Sequence, residues 1–197
     1  MFVRALILSA ACLGFAAMPA QAAVISFDLA GTAGTGLLGG NENPARAGGS
    51  GGEVGSGISF DDATNILTIN VGWGSANGFT DLTGNAVAGH IHGGAVNNGG
   101  LTPFTQNRGV RVDLGGLPGF DGNGVSGGFS GSVTISAADL ADLFAGALYI
   151  NIHTRTFPGG EIRGNLVRAP EPVALASMFA GLVLVGGIAA RRRKALV

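Results

Sequence analysis

Apolar and polar residues alternate with a period of two in six short runs of this chain: Val24–Leu29, Ile66–Val71, Val110–Leu114, Phe129–Ile135, Leu148–His153 and Glu161–Leu166. Successive side chains of a strand point to opposite faces, so each run reads as a strand with one buried face. A seventh, Ala88-Gly89-His90-Ile91-His92-Gly93-Gly94, places His90 and His92 on one face and Ile91 on the other. Asn151 and His153 likewise share a face, opposite Ile150 and Ile152. Between the runs, the glycine-rich stretches Gly31–Gly40, Gly48–Gly57 and Gly93–Gly100 predict loops. One helix interrupts the pattern: Ser136 caps it, Asp139 completes the box, and Leu140, Leu143 and Phe144 form an apolar stripe that ends at Gly146. The predicted fold is all-β, an antiparallel β-sandwich or barrel of about seven to nine strands with one short helix.

The two ends depart from this pattern. Residues 1–22 read as a secretory signal peptide: Arg4 charges its start, Ala5 to Ala17 is apolar, Pro19 breaks the run and Ala20-Gln21-Ala22 is an A-x-A cleavage site. A membrane span is the competing reading, but the run is short for ~30 Å of hydrocarbon. The single cysteine, Cys12, falls in this segment, and Ser9-Ala10-Ala11 before it lacks the aliphatic residue of a lipid-attachment site. The exported body then has no thiol for disulfides or thiolate chemistry. At the other end Pro170-Glu171-Pro172 precedes an apolar run over 173–190 and the basic cluster Arg191-Arg192-Arg193-Lys194. At 1.5 Å per residue that run reaches about 27 Å, an adequate transmembrane helix. Its basic end stays cytoplasmic, which places the body outside.

The body, residues 23–168, is the size of one domain. It holds 33 of the 37 glycines and eleven acidic residues against six arginines. The chain's formal net charge of −1 hides this acidity because the ends carry the other basic residues. A mildly acidic body argues against nucleic acid as a partner.

Two parts of the chain resemble known families. The Pro170-Glu171-Pro172, apolar helix and Arg191-Arg192-Arg193 order over 169–197 resembles the PEP-CTERM sorting signals of Gram-negative bacteria. That resemblance implies recognition by an exosortase-type membrane protease after passage through the inner membrane. The domain would then be delivered to the cell envelope or outside, often alongside exopolysaccharide. In the body, Leu38-Gly39-Gly40-Asn41-Glu42-Asn43-Pro44, Asp81-Leu82-Thr83-Gly84, His90-Ile91-His92-Gly93, Leu148–Thr154 and Pro158–Leu166 closely resemble the CHRD domain, a module named from chordin and common in exported bacterial proteins. This resemblance covers about residues 25–166 and implies architecture rather than a reaction. The segment between His92 and Asp139 is more glycine-rich than the pattern.

All three histidines lie in two of these motifs. One reading is a metal site of His90, His92, His153 and Glu161, with zinc or copper suited to imidazoles presented by an H-x-H strand and its neighbour. Three histidines are too few for the two-metal centre of the copper/zinc superoxide dismutases, whose metal-binding strand the H-x-H run resembles. The other reading is a hydrogen-bond network, with the ring N–H groups tied to carbonyls or to Glu161, and Asn151, Thr154 and Arg163 completing it. Gly122–Gly127 fits G-x-G-x-x-G without a following helix, and Gly48–Gly52 fits G-x-S-x-G without a strand–turn–helix, so neither marks a site. Asp61-Asp62 and Asp121-Gly122-Asn123 could each ligate calcium, but neither continues into an EF-hand loop and turn chemistry accounts for both as well; Trp73 and Phe79 could offer a sugar-stacking surface, with core or loop packing the favoured role. With no paired carboxylates, nucleophile or cofactor loop, the expected role is an envelope binding or structural module, in contact with exopolysaccharide or another envelope protein. A small metal-binding, redox-active protein is the alternative.

Overall fold

The computed structural model describes residues 23–93 and 103–170. The predicted signal peptide, the 173–190 helix and all of the sorting motif except an exposed Pro170 lie outside them. Among the described residues no helix is long and apolar enough to cross a membrane.

Among the described residues eleven strands form one antiparallel sheet, more than the seven to nine expected because two-residue strands arise inside predicted loops. In chain order they are β1 (Val24–Gly31), β2 (Gly34–Thr35), β3 (Leu37–Leu38), β4 (Ser50–Asp61), β5 (Ile66–Trp73), β6 (Ala86–Gly93), β7 (Gly109–Asp113), β8 (Phe120–Asp121), β9 (Gly127–Thr134), β10 (Tyr149–Thr154) and β11 (Ile162–Arg168). Their spatial order is β7-β6-β10-β11-β1-β4-β5-β9-β8, with β2 paired to β1 and β3 bridging β11 and β4. Every alternating run of the sequence falls in a strand, because each offers one apolar face to a common core. That core joins Leu29, Ile69, Trp73, Ile91 and Ile150 from across the sheet.

Among the described residues no ladder joins β7 to β8, so the structure is a continuous antiparallel sheet with open edges rather than a closed ladder. The sheet curls strongly all the same. Leu82 and Ala86 donate their N–H groups to the carbonyls of Val125 (2.9 Å) and Gly124 (3.0 Å), which brings the two ends of the path together. A Cβ on Gly89 of β6 would lie 2.7 Å from the Phe120 ring of β8.

The predicted loop at Gly48–Gly57 is a correction: most of it is the twelve-residue β4. Glycine serves close packing here, not a turn. A Cβ on Gly51 would lie 2.5 Å from the Gly72 carbonyl oxygen and 3.0 Å from Trp73 Cβ. Farther along, Gly55 (φ 57°) and Gly57 (φ 69°) take left-handed conformations where the β4–β5 register shifts between Glu53 and Ile58. Within 31–40, short β2 and β3 precede a 3-10 turn at Gly39–Asn41.

The helix is present as α1 (Leu140–Phe144), shorter than its stripe suggests. The Ser136–Asp139 box closes the turn before it, through Ser136 Oγ to Asp139 Oδ2 (2.6 Å) and Asp139 N–H to Ser136 Oγ (3.2 Å). Leu143 is buried, and Phe144 sets its ring edge-on to Phe60 at 5.7 Å. Trp73 is fully buried in the core. Asp61 accepts the Ala63 N–H, a local turn bond, whereas Asp62 accepts the N–H of Ala23 across the paired ends of β1 and β4.

Candidate metal centre

The site is built by the register of three strands. β10 runs antiparallel beside β6 with Tyr149 opposite His92, Asn151 opposite His90 and Ala88 opposite His153. Directly opposed residues share a face, so His90, His92 and His153 gather on one side while Ile91, Ile150 and Ile152 enter the core on the other. One ring nitrogen from each histidine lies within 4.8 Å of the other two. The ring centroids are 4.7 Å apart for His90 and His153, 5.4 Å for His90 and His92, and 5.7 Å for His92 and His153.

The outward nitrogens all face protein groups. A carbonyl can only accept, so His92 Nδ1–H donates to the Arg108 carbonyl (2.8 Å) and His153 Nδ1–H to the Pro158 carbonyl (2.8 Å). Each bond fixes the neutral tautomer that leaves Nε2 with a lone pair. His90 Nε2 faces Asp113 Oδ1 at 3.8 Å, its directly opposed residue on β7. The Gly116 N–H steadies that carboxylate at 3.2 Å.

The inward nitrogens are left to one another. His90 Nδ1 and His153 Nε2 are 2.9 Å apart. His92 Nε2 is buried and has no hydrogen-bond partner among the described residues. In its Nδ1–H tautomer neutral His90 donates to the His153 Nε2 lone pair; in the other tautomer both nitrogens turn lone pairs toward a shared metal ion. Outer hydrogen bonds from His92 and His153 to carbonyls, a carboxylate 3.8 Å from the outer nitrogen of His90 and converging inner nitrogens resemble the arrangement that orients metal-ligating histidines.

Burial disfavours the charged forms of His92 and His153. It pushes His92 down to about 4, with the Arg108 carbonyl opposing and the nearby His153, His90 and Arg163 adding to the fall. His153 is lowered first by burial and then by His90, against the Pro158 carbonyl. Only His90 reaches solvent, its side chain 21 % exposed.

Glu161 is not among the converging groups. Its Oε1 accepts the N–H groups of Gly49 (3.1 Å) and Thr83 (2.7 Å), and its Oε2 the hydroxyls of Thr83 (2.9 Å) and Thr154 (2.7 Å). Those four bonds occupy the carboxylate away from the imidazoles. The network reading is therefore met in part: the imidazole N–H groups go to carbonyls, while Glu161 and Thr154 join a separate cluster.

Four contributors escape sequence reasoning. Asp113 belongs to a legible strand, but its neighbour β6 is set by topology. Tyr149 stacks on His92 (4.9 Å between centroids, 4° between planes) and carries the Arg163 guanidinium 3.5 Å from its ring centre. Its hydroxyl accepts the Arg108 N–H at 3.0 Å, so the residue whose carbonyl holds His92 is itself held. Glu42 is buried near Asn151, since a Cβ on Gly160 would meet Asn151 Oδ1 at 2.5 Å and Glu42 Oε1 at 2.7 Å. Burial raises Glu42 to about 7, against the opposing charges of Arg163 and Arg46.

The sequence matches the family described as CHRD domain over residues 34–166, from β2 into β11 and including both histidine-bearing strands. No curated protein and no solved structure gives a match.

Proposed function

The chain belongs to the CHRD domain family, and from that premise we propose that this member is an exported β module whose three-histidine cluster binds one transition-metal ion, zinc or copper. The observation that carries this is the orientation of the imidazoles: each outer nitrogen faces a protein acceptor, and the inner ones converge within 4.8 Å. A cluster serving only as cross-strand hydrogen bonds has no use for a buried, unpaired His92 Nε2, whose desolvation is costly without a partner. Neutral imidazoles are the form that binds metal.

The ends of the chain supply the setting in this proposal. The 1–22 signal directs export, and the Pro170-Glu171-Pro172 tail with its helix and Arg191-Arg192-Arg193 end directs sorting by an exosortase-type protease to the envelope. There the domain acts as a surface or matrix module beside exopolysaccharide or another envelope protein. The curl that brings residues 82–86 against 124–125 supports reading the domain as a β-sandwich.

The test is metal content. The purified chain, equilibrated with zinc or copper and freed of excess ion, should hold about one ion, and His92→Ala should abolish it with the circular dichroism unchanged. Less than about 0.1 ion per chain with both metals sinks the reading.

A further inference from the structure

We propose that the cluster is a copper site: three neutral imidazoles, through His90 Nδ1, His92 Nε2 and His153 Nε2, hold Cu(I) in a three-coordinate arrangement and leave a position open on the His90 side. The proposal rests on the metal-binding reading above and adds the ion, its coordination and its exchangeable face.

Charge is the first argument. The three histidines are the whole group of convergent donors among the described residues, and none of them is an anion. Glu161 is occupied by four other donors, and Asp113 lies on the outer side of His90. Arg163 sits beyond Tyr149, against the ring that stacks on His92. A buried ion here keeps its charge uncompensated, which costs far more for a dication than for a monocation. Imidazole also suits copper among the soft and borderline ions.

Donor number and spacing are the second. Three donors exclude the closed four-ligand tetrahedron of structural zinc and leave the open three-imidazole set that catalytic zinc and copper share. With metal–nitrogen bonds of about 2.05 Å, tetrahedral neighbours stand roughly 3.3 Å apart and neighbours at a right angle roughly 2.9 Å. His90 Nδ1 and His153 Nε2 are 2.9 Å apart, a hydrogen-bond distance that equally matches two ligands at a right angle on one ion.

Direction is the third. All three rings rise from one face of the β6–β10 pair, so the rest of the coordination sphere lies away from the sheet. His92 and His153 are buried and anchored to carbonyls, while His90 is partly exposed beside the largely exposed Asp113. The ion therefore loads and exchanges along His90. When Cu(II), which takes more ligands, is loaded instead, this is where water or a small anion adds.

The purified full chain in detergent is loaded without oxygen with Cu(I) or with Zn(II), and each ion is then challenged with the other. One Cu(I) per chain, bound at least about a hundredfold more tightly than Zn(II), is expected. X-ray absorption should show three imidazole nitrogens, and azide should alter the electron paramagnetic resonance spectrum of the Cu(II) form. His90→Gln should lose the ion while its melting matches the metal-free parent, which separates ligand loss from misfolding. Zinc that displaces Cu(I) overturns the copper assignment but keeps the metal-binding reading. An azide-insensitive Cu(II) spectrum overturns the open position, and failure of both ions to bind overturns both readings.

Discussion

Asp113 and Glu42 show how two carboxylates acquire opposite roles from burial alone. Asp113 is exposed and lies opposite His90 with its carboxylate 3.8 Å from Nε2, placed to steady the ring once metal is bound without a large contribution to stability. Asp113→Asn should weaken metal binding about tenfold and shift the metal-free unfolding midpoint by no more than about 0.5 kcal/mol. Metal titration followed by denaturant unfolding checks both, and equal losses in the two would mark Asp113 as merely structural. Glu42 is buried with an unpaired Oε1, and burial raises it from 4.5 to about 7. The folded state then binds the proton more tightly than the unfolded one. The stability linked to Glu42 is fully present below about pH 4.5 and is lost as the pH rises through about 7. Glu42→Gln mimics the neutral acid, so it should gain on the parent by up to the order of 3 kcal/mol between pH 4.5 and 8. Protonation of His92 also destabilises at low pH, but it occurs in both proteins and cancels from the difference. Parallel stability curves for the two would refute the assignment.

Among the elements, the strands with strict alternation were legible because a period of two has one structural meaning when a face is apolar. β4 was not, since its first half, Ser50-Gly51-Gly52-Glu53-Val54-Gly55, has the composition of a turn. Its reason to be a strand lies in its neighbours: Gly51 sits opposite Trp73, where the Gly72 carbonyl and the Trp73 Cα and Cβ leave no room for a side chain, and at Gly52 a Cβ would press on the Phe79 ring. Gly51→Ala should therefore cost about 2 kcal/mol or more through displacement of the Gly72 carbonyl and Trp73. Thermal unfolding measures this, and a neutral substitution would mean that β4 is more loosely apposed to β5 than the Gly51–Trp73 contact requires. The helix box at Ser136–Asp139 was legible in type, but it closes the turn ahead of α1 because capping residues report a local turn and not the length of the helix beyond it.

At the scale of the molecule, the three histidines could be paired by motif, yet only the β6–β10 register decides that His153 stands diagonal to His90 and Tyr149 directly opposite His92. The same topology removes Glu161 from the site the sequence offered it. The sequence offered it as a ligand beside His153, but the residue just ahead of β11 faces the segments around Gly49 and Thr83, where it ties together β10 and two loops distant in sequence. Such a fully buried carboxylate with four donors is a fastening between parts of the sheet. Glu161→Ala strands those donors in the interior and should destabilise the domain by about 3–5 kcal/mol, lowering the melting temperature by at least about 10 °C. Below that melting temperature it should still bind close to one metal ion, because none of the three imidazoles depends on it for a hydrogen bond. Differential scanning calorimetry with metal analysis at a low temperature separates the two effects. A variant that melts like the parent but binds no metal would restore Glu161 as a ligand; one that unfolds early yet loads normally would fix it as the clasp holding the sheet's curl around the histidine face.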